Sequence, residues 1–194
     1  MLWGKAMTMF LVTPPALEPV TIADARAFLR ISTDSEDDIL RRLVATAREL
    51  VEAETGLALI DQTWQLKVDR WPRSGRLALF KYPVKAVTAV VAYRADGTAI
   101  QLAPEEYALQ DGRRPQRLYM AHYPDAATFR GLETDFVAGF GETGVEVPDA
   151  LKQAILSLTA HLYETRTGVD AGGAGVAFPP MVGRMVDGWR RAAL

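Results

Sequence analysis

Three clusters in this 194-residue chain hold residue types that could do chemistry. The first is Gly139-Phe140-Gly141-Glu142-Thr143-Gly144, which reproduces the G-x-G-x-x-G spacing that cradles pyrophosphate in dinucleotide folds. That use requires the loop to open a helix directly, so that amide groups converge on the phosphates. Here Val145 to Pro148 intervenes, Glu142 would set a negative charge beside the ligand, and no parallel β–α–β context surrounds it. A turn from sheet to helix explains the glycines better. The second cluster, Asp34, Glu36 and Asp38, begins like a calcium loop. It then puts Ile39 where glycine is needed and Ala45 where glutamate is needed, so acids at a helix start are the better account. In the third, His161 and Glu164 stand three apart on a helix, but a carboxylate-bridged metal site needs a second such pair. His122, the other histidine, lies in a tyrosine-bearing loop.

The remaining catalytic vocabulary is sparse. There is no cysteine and no G-x-S-x-G elbow, so disulfides, thiolate metal sites and cysteine nucleophiles are excluded. The expectation is therefore no catalytic residue, no cofactor, no metal and no enzymatic activity. A formal charge of −2 with both signs dispersed offers no overall basic face for gripping nucleic acid. No apolar run approaches the ~20 residues needed to span a bilayer, and the first ten residues make a poor secretory signal. Met1 to Phe10 reads as a flexible arm or as residues upstream of a start at Met7 or Met9. The protein is expected to be soluble and cytoplasmic when made and to need no membrane.

The elements that would position any site change period twice. Thr21 and Asp24 form a capping box for a short helix ending near Arg30. A second helix, capped by Asp34 or Ser35, carries Ile39, Leu40, Leu43, Val44, Ala47, Leu50 and Val51 as a buried stripe and closes at Gly56. On this reading Arg41, Arg42, Arg48, Glu49 and Glu52 point away from the core. From Gln62 the period becomes two: Trp64, Leu66 and Val68 share a face, and further strands cover Leu77–Phe80, Val87–Tyr93, Tyr107–Leu109, Arg117–Tyr119 and Glu133–Ala138. Asp96-Gly97 and Asp111-Gly112 read as hairpin turns. Helix resumes at Pro148-Asp149 with Leu151, Ala154, Ile155, Leu158 and Leu162 buried. After a Gly- and Pro-bearing linker from Val169 to Pro180, Met181, Val182, Met185, Val186 and Trp189 recur on one side of a last short helix. The expected class is α+β, a bundle of four main helices interrupted between the second and third by an antiparallel β-sheet or barrel insertion. Its segments are an arm over 1–19, a helical domain over 20–61 and 146–168, a β insertion over 62–145, and a linker with terminal helix over 169–194.

That order of pieces resembles the phage head–tail connector, or adaptor, family, in the branch with a β insertion found in tailed phages and gene transfer agents. The residues carrying the resemblance run from Val20 to Arg30, then Asp37-Asp38, Glu52 to Trp64, Asp69 to Pro72, Tyr82 to Val87, Phe136 to Gly141, and Val147 to Glu164. The resemblance implies a virion structural protein, a ring (a dodecamer in this family) fixed under the portal. Such a ring would join capsid to tail, extend the channel through which double-stranded DNA transiently passes, and meet a stopper or tail-side ring protein. Relatives dock largely through the C-terminal segment, which places portal contacts at Phe178, Met181, Val182, Met185, Val186, Trp189, Arg190 and Arg191. Two alternatives stand beside this one: a tail-completion or stopper ring protein, and, more remotely, a nucleotide-binding enzyme using the Gly139 to Gly144 loop.

Overall fold

In a computed structural model, which describes residues 7–70, 72–120, 129–165 and 178–190, the chain divides into two compact units. One unit takes the residues up to Pro15 and Asp61–Gly139; the other takes Ala16–Ile60 and the residues from Phe140 on. The α+β class expected from the sequence is observed, with every described strand except the first lying between the second and third helices.

The helical unit begins at α1 (Ile22–Leu29). Thr21 and Asp24 form the reciprocal box: the Asp24 amide donates to the Thr21 hydroxyl oxygen at 3.1 Å, and the Thr21 amide donates to the Asp24 carboxylate at 2.9 Å. Arg30 then turns left-handed, with φ of 59°, and ends the helix. Next, α2 (Asp37–Thr55) buries Leu40, Val44, Ala47 and Val51. Two expectations fail here. Glu36 occupies the N-cap position with no side-chain cap bond, so neither Asp34 nor Ser35 caps α2. Leu50 is exposed, whereas Arg48 and Glu52 are buried. Gly56 closes α2 in the left-handed conformation, as its position predicted. Then α3 (Asp149–Glu164) sets Leu151, Ala154, Ile155 and Leu158 into the same core, and α4 (Pro180–Val186) lies against α2 and α3. The Tyr163 hydroxyl bonds the Glu36 carboxylate, tying α3 to the start of α2.

The β unit holds two antiparallel sheets. Five strands are ordered β1 (Met7–Thr13), β2 (Gln62–Val68), β8 (Phe129–Ala138), β4 (Val84–Arg94) and β5 (Ala99–Gln101). Three more are ordered β3 (Arg76–Leu79), β7 (Gln116–Met120) and β6 (Tyr107–Gln110). Both hairpin turns form: Asp96-Gly97 joins β4 to β5, and Asp111-Gly112 joins β6 to β7, with positive φ at each glycine. Register puts Leu66, Thr134 and Val90 in one fully buried row, and Leu132 and Ala92 beside Val68 in the next. The opposite face carries polar pairs, Gln65 with Asp135 at 2.8 Å and Lys67 with Glu133 at 2.7 Å. Gln116 stitches the sheets together, accepting from the Val84 amide at 2.6 Å and donating to the Val84 carbonyl at 3.2 Å. The expected loose arm is replaced from Met7 onward by β1, which pairs with β2 along most of its length. Alternation is weak in Met-Thr-Met-Phe-Leu-Val-Thr, and only the partner strand reveals the segment as β.

Candidate interface residues

No three His, Asp or Glu side chains converge to hold a metal ion among the described residues. No helix among them is long and apolar enough to cross a membrane. The glycine-rich loop proves to be a packing feature. A Cβ on Gly139 would lie 2.4–2.5 Å from Asp61 atoms, one on Gly141 would lie 2.5 Å from the Glu146 side chain, and one on Gly144 would lie 2.3 Å from the Pro19 carbonyl oxygen. Each glycine is needed because another part of its own unit already fills the space a side chain would take. The helix after the loop starts only at Asp149, so its amide groups do not face the loop as a phosphate cradle requires.

Of the second cluster, Asp38 pairs with Arg41 in the first turn of α2 and Glu36 accepts from the Tyr163 hydroxyl, while the neighbouring Asp37 pairs with Arg26 at 3.4 Å. His161 and Glu164 sit on α3, and the His161 Nε2 meets no polar partner among the described residues. His122 lies outside the described residues.

The strongest electrostatic feature of the helical unit was hidden in the sequence. Arg48 is 6% exposed and Glu52 4% exposed. The Arg48 guanidinium reaches Glu18 at 2.8 Å, Glu52 at 3.0 Å and Glu49 at 3.5 Å. Glu52 also accepts the Leu59 amide at 2.8 Å. Burial alone would lower the arginine's pKa, but attraction to Glu52, Glu18 and Glu49 outweighs it and holds Arg48 charged. Three carboxylates share one cation, so Glu18, on the rim, is not fully compensated: desolvation raises its pKa above the ordinary 4.5 despite the bond to Arg48. The reason for the arrangement lies in the segment after α2. Leu57, Ala58, Leu59 and Ile60 are all at most 1% exposed, so their backbone groups must find partners inside the protein. Glu52 supplies one for Leu59, the Thr55 hydroxyl one for Leu57 at 3.2 Å, and the Leu59 carbonyl receives the Phe140 amide at 3.3 Å. An i, i+4 Arg–Glu pair looks like a solvated face until a buried loop claims the carboxylate.

The residues assigned to docking fall into two groups. Val182 and Val186 are 1% and 0% exposed and hold α4 on its own bundle. Trp189 stacks edge-on against Phe140 at 5.8 Å, and Arg190 pairs with Glu54 at 2.6 Å and Asp187 at 2.7 Å. By contrast Met181 is 64% exposed, with Arg184 exposed and Phe178 and Met185 half-buried beside it. Pro180, Met181, Arg184 and Met185 line a shallow depression on that side. Arg191 lies outside the described residues. The spacing that marked all of these as one apolar stripe did not separate the inward valines from the outward methionine.

Residues 19–95 match the family model described as phage gp6-like head-tail connector protein. No curated protein matches the chain. Among solved structures, the chain is similar to one in the neck of an empty GTA particle computed with C6 symmetry. Identity is 27% and the TM-score 0.79, over 96% of this chain and 97% of that one. It is similar as well to a chain in the virion of a native gene transfer agent particle (26%, TM-score 0.77, 96% and 97% covered). A third similar chain is in the neck of a native GTA particle computed with C12 symmetry (27%, TM-score 0.74, 97% of both). The resemblance read from the sequence is borne out, and a structural connector role is what these findings support.

Proposed function

We propose that this chain, a head–tail connector by its family pattern and fold, is a non-enzymatic ring component of a phage-like particle. It sits between portal and tail-side ring and continues the DNA channel. The observation that carries the reading is the near end-to-end match, helices and β insertion together, with chains of GTA necks and virions. The C6 and C12 symmetries of the matched necks favour a closed ring, with twelve copies as the expected number. Closing a ring lets many modest contacts act together, so no single contact needs exceptional strength. No cofactor or metal takes part, and the chain is made in the bacterial cytoplasm before it enters the particle.

The portal contact belongs to the outer side of the C-terminal segment, at Phe178, Met181 and Met185 beside the exposed Arg184. Arg191, outside the described residues, is assigned to it from the sequence alone. Flexible apolar methionines beside arginines are residue types enriched at interfaces. Val182, Val186, Trp189 and Arg190 act there by holding the segment in place. Removing the whole segment would therefore confound docking with folding, because Val182 and Val186 are core residues. Met181→Asp in the full chain is the cleaner test, since Met181 is exposed. The expected result is a protein of unchanged melting temperature whose capsids accumulate without tails under the electron microscope. Normal joining of heads to tails by particles carrying this substitution, or by particles lacking the chain, would refute the proposal.

A further inference from the structure

The edges of the two sheets are not equally protected. A strand edge presents unpaired amide and carbonyl groups, and soluble proteins guard such edges with charge, proline or short length. In the three-stranded sheet, β3 carries Arg76, and β6 is flanked by Glu105, Glu106 and Asp111. The outer edge of the five-stranded sheet is different. Strand β1 has seven residues, no charge and no proline, and exposes Met7 at 42%, Phe10 at 47%, Leu11 at 45% and Val12 at 56%. At the other side of the same sheet is β5, also uncharged. It is paired to β4 from Thr98 to Leu102, because the Arg94 amide bonds the Thr98 carbonyl and the Leu102 amide the Val90 carbonyl, both at 2.9 Å.

From this pair of edges we infer that β1 of one copy receives β5 of the next, so that the five-stranded sheets join edge to edge around the ring. The inference rests on the connector reading and names the partner surface. Cyclic assembly beyond a dimer requires two different faces on each chain that fit one another. The two edges of one sheet meet that need without any other part of the protein. All four pairings inside the sheet are antiparallel. With five strands, β1 and β5 therefore run the same way, and each junction between copies would be a parallel pair. Faces agree as well: Thr8, Lys67, Glu133, Val91 and Gln101 occupy one cross-sheet row on the outer side. Met7, Met9 and Leu11 share the inner side with Ile100. Strand addition would cover the apolar side chains of β1 that the chain itself leaves open.

The absence of cysteine makes the test clean. Thr8→Cys and Gln101→Cys, both exposed positions, are introduced together and treated with a short bis-maleimide. The reaction is run on purified particles and on the concentrated free chain. Presence of the chain in the particles, read by immunoblot, tests the connector reading separately. The expected result is a ladder of covalent oligomers from the double variant in at least one preparation, with neither single variant giving more than background. Cross-linked dimers from Thr8→Cys alone would overturn the inference in favour of β1 pairing with β1. Cross-links to a different particle protein, or no ladder in either preparation, would overturn it also. As a second variant, Leu11→Lys should leave the circular dichroism spectrum unchanged and abolish the ladder in the double-cysteine background.

Discussion

Replacing Glu52 with alanine removes one carboxylate and leaves two buried groups without it. The Arg48 guanidinium loses the partner at 3.0 Å while remaining 6% exposed, and the Leu59 amide, in a segment with no access to water, loses its acceptor at 2.8 Å. Breaking a buried ion pair from one side costs roughly 3–5 kcal/mol when the remaining charge is left alone. Here Arg48 keeps Glu18 at 2.8 Å and Glu49 at 3.5 Å, which lowers its share. The unpaired Leu59 amide adds about 1–3 kcal/mol, so the total stays in the same range. For a protein of this size about 1 kcal/mol corresponds to a shift of roughly 2–4 °C in Tm, so the expected fall is on the order of 6–20 °C. The helices lie in one unit, so thermal unfolding followed by far-ultraviolet circular dichroism reads the unit that holds the cluster. The double variant Arg48→Met, Glu52→Leu separates charge from shape. It removes the cation together with its partner, leaves the Leu59 amide and the Glu18 carboxylate without theirs, and should recover part of the loss. A Glu52→Ala protein within about 1 kcal/mol of wild type would mean that the pair is not desolvated, and the reasoning would fail. So would a double variant no more stable than Glu52→Ala.

Thr21→Ala should cost about 1 kcal/mol by denaturant unfolding, the usual value of an N-cap. Hydrogen bonds from Thr21 also lower the Asp24 pKa below 3.8, so this contribution is present above that pH and is lost as pH falls through the folded value. The variant should therefore show a flatter stability curve in acid. Glu18 has the opposite sign: burial raises its folded pKa above 4.5, so its contribution is fully present below about 4.5 and is lost as pH rises through the folded value. Glu18→Gln should remove that slope in stability measured from pH 4 upward, and an unchanged slope would count against the assignment. Gly144→Ala forces a methyl group against the Pro19 carbonyl and should destabilise by about 1–3 kcal/mol without any nucleotide being involved. A melting temperature equal to wild type would show that the loop has room to spare.

The capping box at Thr21, the glycine closing α2, both hairpin turns and the buried stripe of α3 from Leu151 to Leu158 were all legible in the sequence, whereas Leu162, expected in that stripe, is half-buried. Each depends on residues within a few positions of one another, where hydrogen-bond reach and side-chain period leave little choice. The connector resemblance was legible for a related reason: it rests on the order of such local pieces. Strand β1 escaped notice because its pattern lacks alternation and its evidence is the register with β2, more than fifty residues away. The split within the last helix escaped too, since a single apolar period marks valine and methionine alike.

What the residues determined by themselves was the succession of helix and strand, the absence of thiol chemistry, and the pieces whose order marks a connector. What only the tertiary structure decided was which polar groups go inside. Arg48 and Glu52 are ordinary surface residues by spacing, yet a buried backbone from Leu57 to Ile60 needs acceptors and draws the pair into the core. Burial is a property of neighbours distant in sequence, and the free energy of a charge depends on those neighbours more than on its own identity. The same dependence turned the Gly139 to Gly144 motif from a candidate phosphate loop into a place where Asp61, Glu146 and Pro19 approach too closely for any side chain.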